Sequence, residues 1–251
     1  MSHPTSPSEG KPTGLPPIDV NEYGGKKDGE RQVMNRRVFL QLLVFEVPGD
    51  ADAAALALAR ELRERKIGAV VYADTMNPRG LGLLTWSEDP SHFVRHVRPL
   101  FAREPLVNAV LNPAFGMIGR AYATGHEPEL EYTLLRRPVE NALAEAYPWH
   151  VWYPLRRTGA FARLEPQEQS GILREHAQIG FAYGQAELAH DIRLACHGLD
   201  AEDNEFVIGL VGKDLHPLSH LVQTMRKTKQ TSEYIAKMGP FFVGLVLHRV
   251  A

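Results

Sequence analysis

The chain has 251 residues, with 28 Lys plus Arg against 30 Asp plus Glu and a formal charge of −2. That near balance argues against a nucleic-acid binder, which shows a basic excess or stripe, and against electrostatic attachment to a membrane surface. Cys196 is the single cysteine, so an internal disulfide is excluded and a reducing cytoplasm is the expected compartment.

Residues 1–33 hold five Pro and five Gly among scattered charges, and they read as a disordered tail that buries too little to offset the entropy of ordering. They lack the apolar centre of a signal peptide. The longest apolar stretches, such as Phe241–Leu247, fall far short of the roughly 20 residues that span a bilayer, so no membrane span is expected.

Ordered structure is expected from Met34. Arg37–Val47 (RVFLQLLVFEV) is apolar at both alternating sets of positions, the pattern of a strand covered on both faces. Asp50 follows a Pro-Gly break and is placed to cap a helix over Ala51–Lys66. Ile67–Ala73 and Leu81–Trp86 read as strands around the turn MNPRG. A helix from about Ser87–Pro90 to Glu104 follows, and Val107–Asn112 is a short fourth strand or an irregular segment.

The second half repeats this order. His150–Leu155 is a strand, and Glu165–Gln178 a helix with Pro166 at its start and Gly180 just past its end. Asp191–His197 and Glu205–Val211 are strands, Leu215–Lys229 a helix and Pro240–Arg249 a closing strand. Locally, GLLTWSEDPSHFVRHV (Gly82–Val97) matches GLVGKDLHPLSHLVQTM (Gly209–Met225) as strand, acidic turn and helix. A repeat of roughly 125 residues is too long for a solenoid. The expected fold is α+β: two duplicated ferredoxin-like βαββαβ units forming a dimeric α+β barrel within one chain. The units are 34–112 and 148–251, joined by a linker over 113–147.

Among residues with chemistry, His176 is the sharpest candidate. Ile172 lies four residues before it and Ile179 three after, which sets His176 on the buried stripe of a polar helix. A neutral imidazole facing an apolar cavity suits an axial ligand of iron; a core histidine bonded to backbone is the plainer alternative. Two helices carry His at i and i+4, His92/His96 and His216/His220, a spacing able to present two rings to a metal but with no third ligand in view. His126 with Glu127, Glu129 and Glu131 reads as a solvated linker. WHVWYPLRR (Trp149–Arg157) combines large aromatics with paired arginines, so Tyr153 pointing inward and Arg157 at a rim would suit a flat cofactor with acidic arms. Arg226 is a second carboxylate clamp candidate. Cys196 reads as packing within a strand. No phosphate loop, dinucleotide fingerprint or GxSxG elbow is present.

Several segments together carry a resemblance. They are WYPLRR (Trp152–Arg157), LEPQEQSGILREH (Leu164–His176), IGFAY (Ile179–Tyr183), GLDAEDNEFVIGL (Gly198–Leu210), LVQTMRKTKQTSEY (Leu221–Tyr234) and GPFFVGL (Gly239–Leu245), with GRAY (Gly119–Tyr122) in the linker. In order and spacing the C-terminal half resembles the chlorite dismutase superfamily, and within it the coproheme decarboxylases.

The resemblance implies a haem, coproheme or haem b, bound through iron to His176 as proximal histidine. It implies that Tyr153 is the tyrosine that decarboxylases use for radical chemistry. There, hydrogen peroxide generates an iron-bound oxidant, a tyrosyl radical forms, and propionates lose carbon dioxide to become vinyls. Arg157, Arg226, Arg137 and Leu155 are implied cofactor contacts, and Gln230 an implied neighbour of the proximal histidine. A homo-oligomer, as a pentamer, is implied too.

There are departures from the family pattern. Gly180 is followed by Phe181 where the family often has arginine, which removes one propionate contact. The distal residue falls on Ala189 counting forward from His176, or on Asp191 counting back from GLD. Arg193 shares a strand face with Asp191 but its register does not match, and His150 and His190 are further distal candidates. A non-catalytic haem carrier, a chlorite dismutase-like peroxidase of another substrate and a barrel without haem stand as alternatives.

Overall fold

A computed structural model describes residues 17–251. Its strands are β1 (Glu22–Lys27), β2 (Glu30–Met34), β3 (Phe39–Glu46), β4 (Ala69–Asp74), β5 (Gly80–Ser87), β6 (Val110–Leu111), β7 (Met117–Ala121), β8 (Trp149–Arg157), β9 (His190–Ala195), β10 (Phe206–Gly212), β11 (Ile235–Met238) and β12 (Phe242–Val250). The α-helices are α1 (Ala51–Glu64), α2 (Arg137–Leu143), α3 (Gly159–Ala162), α4 (Pro166–Gln185), α5 (Leu215–Met225) and α6 (Lys229–Tyr234). Residues 93–102 form π-helical and then 3-10 turns.

Among the described residues, eight antiparallel strands pair in a ring: β3, β5, β4, β12, β8, β10, β9, β7 and back to β3. Closing the ring removes the free edges that an open sheet of this length would expose. In ring order the first half contributes β7-β3-β5-β4 and the second β12-β8-β10-β9. Counting barrel strands within each half, both run fourth, first, third, second.

The two-sided apolar pattern of the strands has a direct consequence. One set of side chains fills the lumen, among them Leu40, Leu42, Val44, Tyr72, Trp152, Ile192, Leu194 and Phe242. Gly209 pairs with Trp152 across β10 and β8, and a Cβ there would come within 2.7 Å of the indole, so glycine makes room for the largest lumen side chain. The other set points outward. On the first half it meets α1, whose Ala55, Leu58, Ala59 and Leu62 are all buried. On the second half it is the floor of the site below.

Several expectations need correction. The predicted tail lies partly outside the described residues, in 1–16, but 22–34 form the β1–β2 hairpin. Asp28 (φ 53) and Gly29 (φ 88) make a two-residue left-handed turn between the paired Lys27 and Glu30. The hairpin is tied down by Gly25 N–H donating to Glu127 O at 2.9 Å and by Glu22, which accepts from Arg37 at 3.0 Å and Arg120 at 2.9 Å. Composition alone missed these long-range partners.

The predicted linker also contains β7, which takes the fourth-strand place expected for Val107–Asn112. There, only Val110 and Leu111 pair with β3. Helix α4 runs on through Gly180 to Gln185, and a Cβ at Gly180 would lie 3.6 Å from the Met225 side chain at the end of α5. The predicted helix over 215–229 stops at Met225, and Thr228 caps the separate α6 through Thr231 N.

Candidate functional site

Alternation along β8 sends His150 and Trp152 into the lumen and Val151, Tyr153 and Leu155 outward. Cross-strand pairing then fixes what lies beside them. Arg193, Ile208 and Tyr153 form one row across β9, β10 and β8, and Asp191, Leu210 and Val151 form the next. Tyr153 is 7% exposed and stacks on Phe241, with ring centroids 4.5 Å apart. Burial first, and the Asp191 charge second, push its phenol well above the ordinary value, against an opposing effect of Arg226.

Above this floor lies α4. Of its 20 residues only Ile172 is fully buried, and Ile179 and Tyr183 pack partly against the outward cluster. His176 shares their stripe. Its Nδ1 is enclosed and has no hydrogen-bond partner, which leaves Nε2 as the nitrogen for a ligand. Burial, and then the charge of Arg193, hold the imidazole below its ordinary value, so it is neutral at pH 7. Helix α6 is tied alongside: Lys229 N–H donates to Glu175 Oε2 at 3.1 Å. The next residue, Gln230, is buried with an unpartnered Oε1. An orphaned ring nitrogen that can donate and an orphaned amide oxygen that can accept thus occupy neighbouring elements.

The arginines divide by what already holds them. Arg226 follows α5 at the surface and forms no ion pair among the described residues, yet its charge reaches Tyr153. Arg157 is committed: Nε donates to Glu205 Oε2 at 2.9 Å and the guanidinium lies 4.5 Å from the Phe161 ring centroid and 4.8 Å from that of Phe206. Arg137 pairs with Asp191, which also pairs with Arg193 Nε at 3.1 Å. Arg157 and Arg137, expected as cofactor contacts, are thus each engaged by a carboxylate of the chain itself. Leu155 is buried in the floor opposite Phe206.

The distal candidates separate cleanly. Ala189 is buried and offers no polar group. His190 stacks on Tyr147 at 4.7 Å and bonds Glu187 at 3.1 Å. His150 is sealed in the lumen, where Tyr72 donates to its Nδ1 at 2.8 Å and its Nε2 donates to Tyr147 O at 3.1 Å; burial pushes its pKa down to about 3. Asp191 and Arg193 face Tyr153. Arg193, already placed on the strand face of Asp191 by the i, i+2 alternation, pairs in register with Ile208, which lies opposite Tyr153.

The remaining groups are structural. The His92/His96 and His216/His220 rings sit 5.3 and 6.0 Å apart, and no cluster of three metal-ligating side chains exists among the described residues. Glu127 clasps its own loop, accepting from Gly125 N and His126 N at 3.0 Å each. Cys196 is buried, which pushes its thiol up to about 12.

A half-buried histidine with an unpartnered Nδ1 thus sits on a helix beside the outward face of a closed antiparallel α+β barrel. The chlorite dismutase family model matches residues 120–247, more than half of the chain, and the chain belongs to the chlorite dismutase family. Solved structures share its fold. A heme-binding protein from Thermus thermophilus is 18% identical, with 85% of this chain and 92% of that one covered at a TM-score of 0.66. A mutant chlorite dismutase from Candidatus Nitrospira defluvii is 14% identical, with 86% and 93% covered at 0.66. The same enzyme in complex with imidazole gives the same values. No curated protein matches the sequence. Among the described residues no helix is long and apolar enough to cross a membrane.

Proposed function

We propose that the chain binds haem between α4 and the outward face of β8–β10, and that it acts as a peroxide-dependent decarboxylase of coproheme. The observation that carries this reading is His176: a neutral imidazole with an enclosed, unpartnered Nδ1, on a helix that only partly seals an apolar floor. The residues fit the group. His176 Nε2 would hold iron, Gln230 would take up Nδ1–H, Tyr153, Leu155, Ile208 and Met225 would wall the ring, and Arg226 would meet a carboxylate arm.

When bound, a ferric tetrapyrrole supplies the redox chemistry, with hydrogen peroxide as oxidant. The chain's residues do the rest. Tyr153 is buried and kept protonated, so its phenol can give up a hydrogen atom, which a carboxylate-bearing side chain of the substrate then restores. The apolar floor excludes water from that exchange. Stacking on Phe241 holds the phenol in place.

A second reading is favoured by the engagement of Arg157 with Glu205 and by Phe181 after Gly180: a haem carrier without turnover, which needs fewer propionate contacts. Titration with ferric coproheme tests the binding step common to both. A Soret band that His176→Ala loses supports it, and no band at all defeats it. Peroxide then separates the two readings. Stepwise loss of carboxyl groups by mass spectrometry, abolished in Tyr153→Phe, supports decarboxylation. An unchanged porphyrin supports the carrier.

We further infer that the two halves are duplicated ferredoxin-like units, supported by their shared strand order. We infer too that copies assemble, as a pentamer, supported by the exposed apolar Leu173 and Phe181 on α4. Sedimentation velocity tests the assembly.

A further inference from the structure

The proposed function leaves Glu205 without a task. Successive outward positions of β8 carry Tyr153, Leu155 and Arg157, so Arg157 ends the line on which Leu155 pairs with Phe206 of β10. Its guanidinium is wedged between the rings of Phe161 and Phe206, whose centroids lie 4.5 and 4.8 Å away. Glu205, just before β10, is fixed by its own backbone: its N–H donates to Leu155 O at 3.0 Å and its carbonyl accepts from Cys196 N at 2.8 Å. Glu205 Oε2 accepts from Arg157 N at 3.2 Å and from Arg157 Nε at 2.9 Å. Only one N–H of a five-donor fork is thereby used. The Nη1 and Nη2 groups make no hydrogen bond among the described residues.

We propose that Glu205 is a specificity-determining residue of this cleft: it neutralises Arg157 while leaving the Nη edge open, so that this corner holds an acidic arm and a neutral arm of a tetrapyrrole with similar strength. The role rests on the cleft holding haem and deepens the decarboxylase reading. The two rings and the Nε bond fix the plane of the guanidinium, so its Nη edge is presented without further ordering. An arriving carboxylate can bond that edge, yet it then lies close to the Glu205 charge, which offsets most of the attraction. An uncharged arm forgoes that attraction and so forgoes little.

A site that turns a carboxylate-bearing arm into a vinyl gains from such a corner. An unpaired cation there would hold the carboxylate in the ground state and oppose its loss, which lowers turnover. Arg226 forms no ion pair among the described residues, and it suits an arm that keeps its carboxylate.

The test is Soret titration with ferric coproheme and with its ferric tetramethyl ester, whose arms carry no charge. Glu205→Gln keeps an oxygen for the Arg157 donors and removes the negative charge. It is expected to tighten coproheme about tenfold and to leave the ester unchanged, and adding Arg157→Gln to it is expected to cancel the gain. Unchanged or weaker coproheme binding in Glu205→Gln, or an equal change for the ester, overturns the proposal while the Soret band stands. Should Glu205→Gln not fold or the ester not bind, the two arginines decide. Arg226→Gln is then expected to weaken coproheme about tenfold and Arg157→Gln by less than about threefold; equal losses overturn the proposal. Failure of the wild type to give a Soret band overturns the haem reading itself, and this role with it.

Discussion

On the first half of the barrel α1 turns Ala55, Leu58, Ala59 and Leu62 onto the strands and buries all four, within an outward cluster of sixteen buried apolar residues. On the second half α4 is longer, 20 residues against 14, yet buries Ile172 alone, over a cluster of seven. The two helices occupy matching places over strand sets of the same order. The alanines of α1 let it approach closely and its leucines interdigitate, so that face is complete without a ligand. The stripe of α4 offers Ile172, His176, Ile179 and Tyr183, a set that leaves polar atoms and apolar surface to be completed by something else. One barrel thus has one face sealed by its own helix and another that, on the proposed reading, a ligand completes.

The largest expected effect sharpens that contrast. Leu58→Ala removes a fully buried leucine and is expected to cost about 2–5 kcal/mol in urea unfolding. Leu173→Ala on α4, where the side chain is 40% exposed, is expected to stay within about 0.5 kcal/mol in the monomer. Equal costs would break the comparison.

Next comes ligand protection. Coproheme at about 100 times its Kd is expected to stabilise the fold by about 2.7 kcal/mol. Hydrogen exchange should slow in α4 while local opening in α1 is unaffected. Protection spread equally over both helices would count against a site confined to the second half.

The lumen under both halves responds to acid. The His150 pKa is held at about 3, below its ordinary value, so the folded state binds fewer protons than the unfolded chain. Stability is therefore full above about pH 6.5 and falls by roughly 1.4 kcal/mol per pH unit as pH drops toward 3. His150→Gln is expected to flatten that slope in denaturation series across pH.

The smallest effect returns to the two helices. Asp50 caps α1, accepting from Asp52 N at 3.0 Å and Ala53 N at 3.1 Å, and Asp50→Ala is expected to cost about 1 kcal/mol. Glu165 stands at the same point of α4 without a capping bond, so Glu165→Ala should leave the thermal midpoint almost unchanged.

Much of this architecture was legible in the amino-acid order because its signals are local. The two-sided run Phe39–Glu46, the Asp50 cap and the aromatic run Trp149–Arg157 all declare their elements within a few residues. His176 could be singled out because Ile172 and Ile179 flank it at helical spacing. What stayed hidden depended on partners far away. Glu22 gains its meaning from Arg37 and Arg120, and five-residue β7 from β3 and β9 on either side. Arg193 gains its meaning from a register that only the pairing with Ile208 reveals.

The sequence by itself therefore determined the element types, the two-sided strands, the near-neutral charge and the inward-facing helical stripe, only partly buried, that carries His176, since periodicity and capping act over a turn or two. Tertiary structure alone decided that the strands close into a ring, that Arg157 and Arg137 are already paired while Arg226 is not, and that Asp191 and Arg193 share a face with Tyr153. Those outcomes turn on which groups meet across the barrel, and side chains about 40 to 100 positions apart meet only once strand register and ring closure have brought them together.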